Sequence, residues 1–298
     1  MATDSAQFVG NCREPVVHVR IATKNSLVVE MTFPCGGEWF SGHFPDFPVL
    51  PGVAQLFFLR RFARSAFEDF PEVAAYRRIK FRRLVRPDEL VRLEVVRKGA
   101  QSFSFEMTVE NDIAFCGSVE GLSSTEIGAR DETDCEPCAP LPQSVVLDLL
   151  PHRPPMVLLS DVLSVEVPNE ASAVADTSPS SIFYEDALSG VPSCVALEYM
   201  AQTMALAVGA ERRKMGKPPR VGFVLGTRRL DVRVPCFDSS RRYVTAVKCT
   251  YSDDEFAAFD CTIAAPSGKT VAAASITAFQ PLEEPLEFAE KMRKLNDR

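Results

Sequence analysis

Apolar and polar positions alternate along this chain in short runs, and two long, almost wholly apolar segments interrupt them. PVVHVRIA (15–22) and SLVVEMTF (26–33) carry Val, Ile, Thr and Phe in partial alternation, the pattern of half-buried strands. After a loop, PGVAQLFFLRRFARSAF (51–67) is apolar nearly all round, as expected of a helix buried inside a domain. Strand-like runs RLEVVRK (92–98), SFSFEMTVE (102–110) and IAFCGSVEG (113–121) follow. The order then repeats. MVLLSDVLSVEV (156–167) and EASAVADT (170–177) precede a second apolar helix, PSCVALEYMAQTMALAVGAERRK (192–214). Four more strand-like runs follow, VGFVLGTRRLDVRV (221–234), RYVTAVKCTYS (242–252), FAAFDCTIA (256–264) and TVAAASITAF (270–279).

One long helix followed by antiparallel strands predicts an α+β unit in which a sheet wraps its helix, here present twice. Pro51 and Pro192 each open a helix, a favoured place for proline, and they lie 141 residues apart (192 − 51). That spacing agrees with a duplicated unit. Between the halves, GLSSTEIGARDETDCEPCAPLPQ (121–143) is polar, acidic and aperiodic, and reads as a linker.

Composition narrows the function classes. The chain has 298 residues, 46% of them hydrophobic and 24% charged, enough for two domains. Its net charge of −7 argues against broad nucleic-acid binding. No apolar window reaches the ~18 residues of a membrane helix, and MATDSAQFVGNCREP lacks the basic-then-apolar order of a secretory signal. Nine cysteines without regular spacing suit reduced thiols, so a cytoplasmic location is expected.

The chemistry concentrates in HFPDFPVLPGV (His43 to Val53). It resembles the HFPxxPxxPGV signature of the hotdog-fold β-hydroxyacyl-ACP dehydratases, matching at His43, Phe44, Pro45, Pro48, Pro51, Gly52 and Val53. The resemblance implies a catalytic His43 and a Glu or Asp partner fourteen positions later, where this sequence has Phe57. The second half shows the converse. LLPHRPPMVLLSDV (149–162) is similar to the family's LPHRxPxxLxD motif, and PSCVALEYMAQ (192–202) to its PGVLxxExxAQ helix motif. Glu198 holds the carboxylate position, Tyr184 stands where the histidine belongs, and Ser193 replaces the glycine. In homodimeric members each site takes its histidine from one subunit and its carboxylate from the other. The resemblance therefore implies a double hotdog with one site shared by His43, Gly52 and Glu198, and an inert pseudo-site pairing Tyr184 with Phe57. The halves look most like the two partner dehydratase subunits of aryl-polyene biosynthesis, fused in order. The resemblance covers about residues 26–121 and 141–281 and implies hotdog domains at 1–125 and 141–282, a linker at 126–140 and a tail at 283–298.

The residue types suit water elimination from a β-hydroxyacyl thioester. Histidine titrates near neutrality and serves as a base. A carboxyl in an apolar tunnel has its pKa raised and can donate a proton. The Gly52 N–H at a helix start suits charge on the thioester oxygen. Phe44, Pro51, Val53, Phe57 and Gln202 are the expected substrate-binding residues, and Phe40, Phe47 and Phe58 are further candidates for an acyl tunnel. No cofactor or metal is implied: Cys135-x-x-Cys138 is a lone pair, and zinc needs four ligands. His152 is expected to be structural, at a strand entry, and His18 to face solvent.

The basic run Tyr76 to Arg86 reads most simply as a solvated strand and turn. Its functional reading, at Arg77, Arg78, Lys80, Arg82 and Arg83, is a dock for an acidic acyl carrier protein. Arg212, Arg213, Lys214 and Lys217 are accounted for by the helix dipole. Expected partners are an acyl carrier protein, neither nucleic acid nor membrane, and a second copy of the chain in a homodimer or higher oligomer. A hotdog thioesterase with a helix carboxylate activating water, and a non-catalytic acyl-carrier-binding module, stay open beside the dehydratase reading.

Overall fold

The computed structural model describes residues 14–122 and 143–282, apart from Pro45 and Pro168, together with Glu287. The expected linker at 126–140, its Cys135 and Cys138, and the tail other than Glu287 lie outside the described residues.

The first half contains strands β1 (Val16–Ala22) and β2 (Ser26–Thr32), helix α1 (Gly52–Ala66), and strands β3 (Ala74–Phe81), β4 (Leu90–Gly99), β5 (Ser102–Val109) and β6 (Asp112–Gly121). The second half contains α2 (Gln143–Leu149), β7 (Leu159–Glu166), β8 (Glu170–Ala175), β9 (Gly190–Pro192), α3 (Ala196–Lys214), β10 (Phe223–Val232), β11 (Cys236–Asp238), β12 (Val244–Ser252), β13 (Phe256–Ala264) and β14 (Thr270–Phe279).

Twelve strands form a single sheet in the order β1-β2-β4-β5-β6-β3-β10-β14-β13-β12-β8-β7. Read outward from its middle, the two arms match strand for strand: β3 with β10, β6 with β14, β5 with β13, β4 with β12, β2 with β8 and β1 with β7. This is the double-hotdog arrangement, a sheet in each half curling around that half's helix. The seam is the antiparallel β3–β10 pair, with Tyr76 opposite Leu230 and Ala74 opposite Val232. The basic run is thus a strand, as expected, but a central one. Ala74, Ala75, Tyr76 and Ile79 are buried while Arg78 and Lys80 face solvent.

Both helices lie in the interior because their sequences leave few polar positions to solvate. On α1, Val53, Ala54, Leu56, Phe57, Phe58, Leu59 and Ala63 are buried, and Phe58 packs edge-on against Phe33 and Trp39. Truncating such a ring to alanine costs about 3–5 kcal/mol. Pro51 caps the start of α1 with no side-chain hydrogen bond, so the first N–H groups of the helix have no local side-chain acceptor.

Candidate active site

A cavity of about 530 Å³ opens between the halves, within the range of small-ligand sites. Its walls include His43, Gly52, Val53, Gln55 and Phe81 from the first half, and His152, Leu197, Glu198, Ala201 and Met204 from the second.

His43 is fixed by its own loop. Its N–H donates to the Phe40 carbonyl at 3.3 Å, its carbonyl accepts from Val49 N–H at 3.2 Å, and its Nδ1 lies 3.1 Å from the Val49 carbonyl. A carbonyl only accepts, so the neutral imidazole carries its hydrogen on Nδ1 and leaves a lone pair on Nε2. Burial outweighs this bond and lowers the His43 pKa to about 4, so the ring is neutral at pH 7. The preceding residue, Gly42, has φ of +79°, and a Cβ there would fall 1.9 Å from the Arg153 carbonyl oxygen. Arg153 N–H donates to the Gly42 carbonyl at 3.0 Å, which ties the His43 loop to the second half.

Glu198 sits in the first turn of α3 and is 7% exposed. Desolvation raises its pKa to about 7, against an opposing hydrogen bond from Gln202 Nε2 at 2.9 Å. Gln202 is wholly buried. Its Nε2 also donates to the Met156 carbonyl at 2.8 Å, and its Oε1 accepts from Leu158 N–H at 2.9 Å. Its amide therefore orients Glu198 and has no place in the cavity wall.

His152, expected at a strand entry, bridges the two. Its Nε2 is 3.5 Å from Glu198 Oε1, and its ring centroid lies 5.5 Å from that of His43 and 5.0 Å from that of Phe44. Burial, then the neighbouring His43 and Arg153, pushes its pKa well below the usual value, so it is neutral. The LPHRP stretch is visible in the sequence, but no periodicity says that its loop docks against His43.

The Gly52 N–H has no acceptor within the chain among the described residues. A Cβ at Gly52 would meet the Phe81 ring at 2.9 Å, so only glycine fits this wall without displacing that ring. Of the other expected residues, Val53 lines the cavity, whereas Phe44 belongs to the cluster with Phe47 and Val49 that backs His43. Pro51 only starts the helix. Phe57 packs elsewhere, with Trp39, Phe58 and Phe183 at 5.4–5.7 Å. In the basic run, Arg83 lines the cavity and pairs with Glu89 at 3.1 Å, Arg77 pairs with Glu120 at 2.6 Å, and Arg78, Lys80 and Arg82 are exposed. Arg212 and Lys217, which the helix dipole alone would explain, also reach the cavity wall.

A neutral imidazole with an open lone pair, a carboxyl that stays protonated up to about pH 7 and a helix-start N–H thus line one cavity, an arrangement suited to moving a proton pair on an acyl thioester. Comparisons with known proteins agree with that chemistry. The second half, residues 145–290, matches the family of ApeP dehydratases, and residues 19–118 match that of ApeI dehydratases. A 3-hydroxyacyl-[acyl-carrier-protein] dehydratase FabZ of Polynucleobacter asymbioticus is 39% identical over 107 residues, which span 32% of this chain and 72% of that protein. The chain belongs to this dehydratase family. The FabZ of Clostridium perfringens is 32% identical over 108 residues, or 33% of this chain and 78% of its own. Among solved structures, the dehydratase domain of RzxB from Pseudomonas fluorescens aligns with a TM-score of 0.64 at 13% identity, covering 89% of this chain and 98% of its own. The dehydratase domain from the CurJ module of curacin polyketide synthase aligns with a TM-score of 0.64 at 11% identity, covering 88% and 96%. These two show the fold of the paired halves. Among the described residues, no helix is long and apolar enough to cross a membrane.

Proposed function

We propose that this dehydratase eliminates water from a 3-hydroxyacyl thioester on an acyl carrier protein, at one site built from both halves. The observation that carries the reading is the meeting of His43 and Glu198 in one cavity, with His152 in contact with both. His43 Nε2 takes a proton from Cα, and the C–H electron pair becomes the Cα=Cβ bond. The Cβ–O bond breaks, and the Glu198 carboxyl delivers its proton to the departing oxygen, giving a trans-2-enoyl thioester and water. The Gly52 N–H donates to the thioester oxygen as negative charge builds there. Afterwards His43 loses its proton and Glu198 regains one, and the site is reset.

The two pKa values support the division of labour. Neutral His43 with protonated Glu198 is the main form between about pH 4 and pH 7. For the carrier, exposed Arg78, Lys80 and Arg82, next to Arg83 on the cavity wall, offer cations to an acidic protein surface and to a phosphate. The test is incubation of the purified protein with a 3-hydroxyoctanoyl carrier thioester. Enoyl thioester should accumulate without release of carrier thiol. Thiol release without enoyl product would instead establish a thioesterase, and binding without turnover a carrier-binding module.

A further inference from the structure

The side-chain oxygen of Gln55, Oε1, is buried without a partner among the described residues. The residue lies in the first turn of α1, is 3% exposed, and lines the cavity beside Gly52 and Val53. Buried amides are normally satisfied, and an orphan in a functional cavity calls for a ligand. Gln202, the other buried amide here, is satisfied at both ends, so Gln55 is the exception.

Its position defines what it meets. Gln55 is three residues past Gly52 and so shares its helix face. A helical side chain leans back toward its own N-terminus, which brings the carboxamide toward the Gly52 end of the cavity. Moved by the 141-residue repeat, the matching residue of the other half is Ala196, buried and apolar. The amide thus occurs only on the side that has His43 and an open Gly52 N–H.

We infer that Gln55 is a specificity-determining residue whose Oε1 accepts the hydrogen of the substrate's β-hydroxyl. This rests on the dehydratase reading and extends it. Of the groups at the reacting end of a 3-hydroxyacyl thioester, only the hydroxyl offers an O–H donor, so it is the partner an orphaned acceptor selects. With its hydrogen held by Gln55, the oxygen keeps its lone pairs for the Glu198 proton. The site then discriminates against the saturated acyl chain, which would leave Oε1 unpaired.

The test compares binding of 3-hydroxyoctanoyl- and octanoyl-N-acetylcysteamine by calorimetry, in His43→Ala protein to prevent turnover, with and without Gln55→Met. The added Gln55→Met substitution should weaken binding of the hydroxylated ligand about tenfold and leave that of the saturated ligand unchanged. Equal weakening of both ligands, or of neither, overturns the inference. Gln55→Leu repeats the comparison if the first variant does not fold. The melting temperature should not fall in either, because an unsatisfied amide is being removed. Failure of the dehydratase reading looks different: protein with His43 and Gln55 intact would then form no enoyl product from the 3-hydroxyoctanoyl carrier thioester, releasing carrier thiol or only binding it.

Discussion

The proposed site and the equivalent place in the other half of the repeat differ in every part. One has His43, Gly52 and Glu198. Its counterpart, 141 residues displaced, has Tyr184, Ser193 and Phe57. Around the first lies an open cavity. At the second, Phe57, Trp39 and Phe183 fill the space with mutual ring contacts at 5.4–5.7 Å. The Gly52 N–H is open, whereas the Ser193 N–H donates to the Pro235 carbonyl at 3.2 Å. The place without histidine and carboxylate is thus also the one where rings occupy the space and the helix-start N–H is already bonded.

The closed version has also become a joint between the halves. Arg60 on α1, almost wholly buried, donates to both Glu185 carboxylate oxygens at 2.9 and 3.1 Å and lies 3.6 Å from Glu72. The positions matching Arg60 and Glu185 at the open site are Ala201, in the cavity wall, and Phe44. Two first halves paired together would set Arg60 against Phe44, and two second halves would set Glu185 against Ala201. Each mispairing forgoes the Arg60–Glu185 pair, leaving Arg60 only the longer contact with Glu72 of its own half, so the ion pair favours first half with second.

Changes at the open site should have the largest effects. His43→Ala should lower the rate of water elimination about 10²- to 10⁴-fold, read from enoyl formation. Glu198→Gln should cost a similar factor and remove the falling limb near pH 7 from the pH–rate profile, while the rise near pH 4 persists. It should also stabilise the fold above pH 7. The folded-state pKa of Glu198 is raised from 4.5 to about 7, so the folded state binds the extra proton between those values. Stability is then full below pH 4.5 and lost as pH rises through 7, and the glutamine escapes that loss. The melting-temperature gap over wild type should close on going down to pH 4.5.

Arg60→Ala should leave the proton chemistry in place but cost about 3 kcal/mol in denaturant titration. That is the low end for breaking a buried pair, because the Glu185 it strands is only half-buried. Gly52→Ser, which copies the closed site into the open one, should lower the rate about 10- to 100-fold through displacement of Phe81 and the helix start. The smallest effect is expected from Tyr184→His. It places a histidine at the closed site, yet the rate should stay within about twofold of wild type, because Phe57, Trp39 and Phe183 pack together there and the Ser193 N–H is already bonded to the Pro235 carbonyl.

The same divergence governs what is legible in the sequence. The two helices can be read because their apolar character is continuous, and most strands because they alternate. His43 and Glu198 can be read because they stand in dense motifs with fixed spacing. Phe57 reads as a substrate contact but packs against Trp39, Phe58 and Phe183, since a phenylalanine on a buried helix looks the same whether it faces a tunnel or a packed core. Gln202 reads as a substrate-binding residue, and only its bonds to the Met156 carbonyl, the Leu158 N–H and Glu198 show it to be a brace. His152 and Arg60 depend on partners 46 (198 − 152) and 125 residues away, and Gln55 on having none for its Oε1, which no local pattern encodes. The role of β3 as the seam is hidden for the same reason, because its basic face dominates the local pattern while its pairing with β10 is made across the whole chain.

The most direct test compares water elimination by His43→Ala, Glu198→Gln and the double variant under identical conditions. A single site assembled from both halves predicts that either change alone removes nearly all activity and that combining them adds little. If each single variant instead kept about half the wild-type rate and only the double variant was inactive, the halves would be working separately and the shared site would not exist.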